Sequence, residues 1–67
     1  MQLRIGIGEA AHRELVIDLP AEEGADDVTH RLTTAAAASS EVVWFVDRHG
    51  ARFGVPFHQI NYIELSP

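Results

Sequence analysis

Four histidines (His12, His30, His49 and His58) and ten carboxylates are the side chains of this 67-residue chain that could hold a metal or move a proton. A structural zinc site needs four convergent ligands, and two histidines sharing a helix face stand three or four residues apart. None of the four histidines has that spacing, and His49 and His58 fall in expected turns, so they read as surface residues. Asp18, Glu22, Glu23, Asp26 and Asp27 crowd one stretch. A calcium loop places oxygen ligands at alternate positions and ends in a bidentate Glu; this run does neither and reads as a solvated face leading into a helix. No metal and no cofactor are expected.

Gly6-Ile7-Gly8-Glu9-Ala10-Ala11 fits the G-x-G-x-x-A pattern of dinucleotide sites. In such a site a helix starts at the glycines and receives the pyrophosphate at its N-terminus. Here a second strand pattern begins within a few residues, so a glycine-containing hairpin is the better reading. Ser39, Ser40 and Ser66 lack a partnering histidine motif or a nucleophile elbow. Glu64 and Asp47 could serve as an acid and a base, but no pocket is marked around them. All five basic residues (Arg4, Arg13, Arg31, Arg48 and Arg52) are arginine, so neither a Schiff-base lysine nor a phosphate-loop lysine exists. Catalysis is not expected.

Those residues must be placed by a small number of elements. One domain, 1–67, is expected, near the lower size limit for a self-sufficient core. With no cysteine, neither disulfides nor thiolate zinc can reinforce it. The net charge of −5 disfavours nucleic-acid backbones as partners. No apolar run approaches the roughly 20 residues of a membrane span. The start MQLRIGIGEA lacks the pattern of a signal peptide, so the expected location is the cytoplasm.

Leu3, Ile5 and Ile7 alternate with Gln2, Arg4 and Gly6, the period of a half-buried strand. Glu14 to Leu19 repeats that pattern, and the two form a hairpin that Pro20 ends. Between Ala21 and Ser40 the period becomes helical, with Ala25, Val28, Leu32, Ala35 and Ala36 on one stripe and Asp26 and Asp27 in the first turn. Val42 to Val46 is a strand, Asp47-Arg48-His49-Gly50 a turn, and Ala51 to Val55 the return strand. Phe57-His58-Gln59 makes a corner before extended structure resumes at Ile60 to Leu65. The expected fold is α+β, ββαββ(β): a single small sheet with one helix packed on one face, β-grasp-like, its late strand parallel to the first. A small Sm-like barrel is the alternative. The expected core is Leu3, Ile5, Ile7, Leu15, Ile17, Val28, Leu32, Val43, Phe45, Val55 and Ile63.

The strand at 42–46 is apolar on both faces. With Val43 and Phe45 under the helix, Val42, Trp44 and Val46 face outward, and an apolar patch with a Trp at its centre marks an interface. The leading expectation is a non-catalytic interaction module. It self-associates as a homodimer or small oligomer, or meets another protein, through Val42, Trp44, Val46 and Tyr62. The alternative is single-stranded nucleic-acid binding, with Trp44 and Tyr62 stacking and Arg48 and Arg52 supplying charge.

L-R-I-G-I at 3–7, R-E-L-V at 13–16, D-x-x-G-x-R-F at 47–53, V-P at 55–56 and I-x-Y-I-E-L at 60–65 follow one another in a definite order. In that order they resemble the small actinobacterial domain-of-unknown-function family DUF3107. The resemblance runs from Leu3 to Leu65. It implies small, cytoplasmic proteins with no established activity, cofactor or catalytic residue to carry across. Trp44 and Val46 stand where the family pattern has small polar residues such as Thr, and Ala51 stands where a second Arg is usual. Both changes make the outward face more apolar and less basic.

Overall fold

A computed structural model of the chain describes residues 1–8, 13–39 and 41–67. Strand β1 spans Gln2–Ile7, β2 Arg13–Asp18, helix α1 Ala25–Ala37, β3 Val42–Val46, β4 Arg52–Pro56 and β5 Ile60–Ser66, with one 3-10 turn at Phe57–Gln59 ahead of β5. The fold is α+β in the ββαββ(β) order, and the corner after Pro56 starts a separate strand.

The strands form two sheets instead of one: a three-stranded sheet ordered β2-β1-β5 and a two-stranded ribbon of β3 and β4. The last strand does lie beside the first, but antiparallel, pairing Leu3 with Leu65 and Ile5 with Ile63. The parallel pairing of a β-grasp is excluded by the turn that precedes β5. The Gly8 N–H donates to the Gln59 carbonyl at 2.8 Å. The 3-10 turn therefore sits at the C-terminal end of β1, and β5 can only run back along it. The β1–β5 register shifts between Gly6 and Ile7, and the Asn61 side-chain amide beside that irregularity donates to the Gly8 carbonyl. Among the described residues no strand ladder joins the sheet to the ribbon, so the barrel alternative is not closed either.

Helix α1 begins where Asp27 reaches back to accept the Gly24 N–H at 2.8 Å, satisfying one of the orphan donors of the first turn. Asp26 and Asp27 complement the positive end of the helix dipole there. Its buried stripe is Val28 and Ala35, with Leu32 packed beside them, whereas Ala25 and Ala36 are exposed. The helix ends at Ser39, whose φ of 54° turns the chain out of the helical path.

Sheet, ribbon and helix share one core of Leu3, Ile5, Ile17, Leu19, Val28, Ala35, Val43, Phe45 and Val55. Ile7, Leu15, Leu32 and Ile63, expected inside, only pack around it half-buried, while Leu19 and Ala35 enter it. Leu19 is held by its N–H on the Met1 carbonyl at 3.0 Å, which carries the hairpin pairing one residue past β2. The small Ala35 lets the helix lie close to the strands. Arg31 lies over the Phe45 ring, its guanidinium carbon 5.6 Å from the centroid, and its Nη1 is 2.6 Å from Glu23 Oε1. That ion contact lacks the angle of a well-formed hydrogen bond, so it acts through charge and packing.

Phe45 is the largest fully buried side chain of this shared core. Phe45→Ala is expected to cost about 3–5 kcal/mol of folding free energy, measured as a shift in the urea midpoint at constant slope.

Candidate interaction surface

The ribbon is built by its loop. Asp47 Oδ1 accepts the N–H groups of His49 and Ala51, each at 2.8 Å, and the Asp47 N–H donates to the Ala51 carbonyl at 2.9 Å. Gly50, with φ 88°, takes the left-handed position this loop requires. At the other end the Phe57 N–H donates to the Glu41 carbonyl at 2.8 Å. Hydrogen-bonded and non-hydrogen-bonded pairs alternate along an antiparallel ladder. With 47/51 and 41/57 bonded, the pairs Val42–Pro56, Trp44–Gly54 and Val46–Arg52 are the non-bonded ones. The backbone N–H and C=O groups of Val42, Trp44 and Val46 therefore point away from β4, along the free side of β3.

Side chains of the same three residues point away from the core. Trp44 is 60% exposed and Val42 and Val46 40% each, while Val43 and Phe45 between them are buried. The Trp44 indole lies flat across Gly54: a Cβ placed on Gly54 would stand 2.9 to 3.1 Å from three of its ring carbons. Non-bonded pairs bring side chains closest, so glycine at 54 is what lets the ring fold over the neighbouring strand. A shallow cleft of about 290 Å³ remains between Trp44, Val46 and Arg52.

The outer face of the three-stranded sheet has the same device with different chemistry. Tyr62 lies across Gly6, its direct partner on β1, leaving no room there for a Cβ. Its hydroxyl donates to Glu14 Oε2 at 2.6 Å on β2. Arg4 stands beside it, 3.3 Å from Glu14 and 3.7 Å from Glu64. The Glu14 hydrogen bond, with lesser help from desolvation and the Glu14 and Glu64 charges, holds the Tyr62 phenol above its usual range, while Arg4 opposes this.

Val42, Trp44 and Val46 thus form one patch, and Arg52 joins it. Tyr62 does not: it stands on the other sheet, engaged with an acidic residue. Arg48 is drawn off to β2, its N–H on the Asp18 carbonyl at 2.8 Å and its guanidinium 3.6 Å from the Asp18 carboxylate. The four residues named for nucleic-acid binding, two for stacking and two for charge, therefore do not share one platform. Gly54, Gly6 and Pro56 were missed as parts of these surfaces. Their signal, a glycine or proline opposite an exposed apolar residue, exists only once the register is known.

Residues 1–67 match the family described as protein of unknown function, DUF3107. The chain belongs to this family. No curated protein matches it.

Elsewhere in this DUF3107 member the candidate chemical groups lie scattered. His30 is exposed on α1, His49 in the ribbon loop and His58 in the 3-10 turn, while His12 and Ser40 lie outside the described residues. So do Glu9, Ala10 and Ala11 of the glycine motif; β2 follows as a strand in register, with Arg13 opposite Ile7. Ser39 closes the helix and Ser66 pairs with Gln2. The Asp47 carboxylate is spent on its loop, and Glu64 on Arg4. Among the described residues, no three ligand-type side chains converge, and no helix is long and apolar enough to cross a membrane.

Tyr62 is the single tyrosine, so its ionisation can be followed by ultraviolet absorbance without assignment. Wild type is expected to titrate above the ordinary value near 10, and Glu14→Gln to bring the midpoint down toward it. Because the fold favours the protonated phenol, this contact's stabilisation is full below pH 10. It fades as pH rises through the higher folded value.

Proposed function

We propose that this protein is a non-catalytic interaction module of the cytoplasm that self-associates through the outer face of β3. The observation that carries the reading is Trp44, 60% exposed between two half-exposed valines on a strand whose other face is buried. Solvent-facing strand positions in a half-buried sheet are ordinarily polar, and contiguous apolar surface on a soluble domain marks a place of contact. Trp is also the residue most often found at the energetic centre of an interface.

A second copy is the partner that fits best. The cleft beside Trp44 is lined by one charged side chain, the basic Arg52, in a chain whose net charge of −5 repels its own copies elsewhere. Self-contact is therefore least opposed here. A small domain without disulfides also gains from burying more apolar surface between copies.

Sedimentation equilibrium or light scattering across micromolar concentrations tests this. A dimer or small oligomer is expected, with Trp44→Thr weakening it at least about tenfold while circular dichroism shows the monomer still folded. A strictly monomeric wild type, or a variant that assembles as well as wild type, overturns the reading.

A further inference from the structure

We propose that two copies pair β3 against β3 edge to edge, antiparallel about a two-fold axis at Trp44, giving one continuous sheet ordered β4-β3-β3-β4. The inference rests on the self-association proposed above and specifies its geometry. Three observations carry it.

First, the outer edge of β3 is open from Val42 to Val46; beyond it the Arg48 N–H, on the same side, is taken by the Asp18 carbonyl of β2. The outward backbone groups of β3, at Val42, Trp44 and Val46, have no hydrogen-bond partner among the described residues. Buried backbone groups are almost always paired, so these face solvent and are available to another strand. The Trp44 indole leans the opposite way, over Gly54, and leaves the edge clear.

Second, β3 is the one strand among the described residues with no device against such pairing. Edge strands are ordinarily blunted by charge or proline. Strand β2 carries Arg13, Glu14 and Asp18, β5 carries Glu64, and β4 carries Arg52 and Pro56. Pro56 sits at a position whose N–H would have pointed to the outer side of β4, so the ribbon is stopped on that side. One open edge per copy closes as a dimer and does not propagate.

Third, the strand is close to palindromic. In Val42-Val43-Trp44-Phe45-Val46, pairing about Trp44 sets Val42 opposite Val46 of the second copy, Trp44 opposite Trp44, and Val43 opposite Phe45. Apolar meets apolar at each position on both faces. The area available favours the edge over a face-to-face contact. The exposed parts of Val42, Trp44 and Val46 come to roughly 300 Å², against about 800 Å² per partner in a standard interface. Side chains alone fall short, whereas edge pairing adds the backbone bonds of three outward residues from each copy. The register also sets Glu41 opposite Asp47 of the second copy. The Asp47 carboxylate is turned into its own loop, which leaves Glu41 as the charge opposing assembly.

The test is amide hydrogen exchange resolved by residue, on the wild-type chain, at a dilute concentration and at one where sedimentation shows the dimer. Val43 and Phe45 bond to β4 and are expected to be protected in both. Val42, Trp44 and Val46 are expected to exchange at least about tenfold more slowly in the dimer. A dimer in which those three amides exchange freely overturns edge pairing and leaves self-association standing; a monomer at every concentration overturns both. Register is read by oxidative cross-linking, since the chain has no cysteine of its own. Val42→Cys mixed with Val46→Cys is expected to give the mixed disulfide. Neither variant should join to itself, because like positions would lie about 13 Å apart along the strands, beyond the reach of a disulfide. Self-joining as fast as mixed joining overturns the register. Glu41→Gln is expected to tighten the dimer about two- to threefold, and an unchanged constant argues against this alignment.

Discussion

Burial of Phe45 sets the phase of β3, and most of the surface follows from that. Strand side chains alternate with a period of two, so a slip of one residue would exchange the two faces. Phe45 is held beneath Arg31, which is itself paired with Glu23 ahead of the helix, and Val43 and Val55 flank it in the core. With that ring inside, Trp44 has no course but outward. Among the described residues no strand ladder joins sheet to ribbon, so the shared core around Phe45, with loop bonds such as Arg48 to Asp18, holds the ribbon in place.

Both sheets solve the problem of a large exposed aromatic in the same way. A ring crosses the neighbouring strand at a glycine, Trp44 over Gly54 and Tyr62 over Gly6. The ring covers backbone that would otherwise be bare, and the glycine gives it a flat seat, as in aromatic rescue of strand glycines. What differs is the company. Tyr62 ends on Glu14 among Arg4 and Glu64, so its polar tip is satisfied within the monomer. Trp44 lies among Val42, Val46 and Pro56, and no side-chain hydrogen bond from its indole N–H is found among the described residues. One local geometry therefore yields a finished surface on the sheet and an unfinished one on the ribbon.

Periodicity carried the elements well, because each depends on neighbours in sequence. The alternation at Leu3, Ile5 and Ile7, the Val28, Leu32 and Ala35 part of the helical stripe (without Ala25 and Ala36) and the turn at Asp47 to Gly50 lie where their spacing placed them. Topology depends on what the chain does at a corner, and spacing is blind to it. The 3-10 turn at 57–59 returns β5 antiparallel because Gly8 bonds to Gln59, a contact between residues far apart in sequence. The same blindness grouped Tyr62 with Trp44 on composition alone, although the two belong to different sheets. Leu19 was seen as part of a strand face but not as core, since its burial follows from the hairpin running one pair beyond Asp18.

Charge placement gives the edges different meanings. A chain this acidic could have set a carboxylate or its arginines on any strand, and β2, β4 and β5 each carry at least one charged side chain. Strand β3 has none over its whole length, and the alternation of its bonds sends the unpaired backbone of Val42, Trp44 and Val46 to the side away from β4. Leaving such an edge uncharged invites pairing, and a domain with a small core and no disulfide has little stability to spare for an unused hazard. A threonine at position 44 would keep the β-propensity of the strand and remove most of its exposed apolar area. The tryptophan therefore exposes more apolar surface than the strand's propensity requires, beyond the cover it gives the Gly54 backbone.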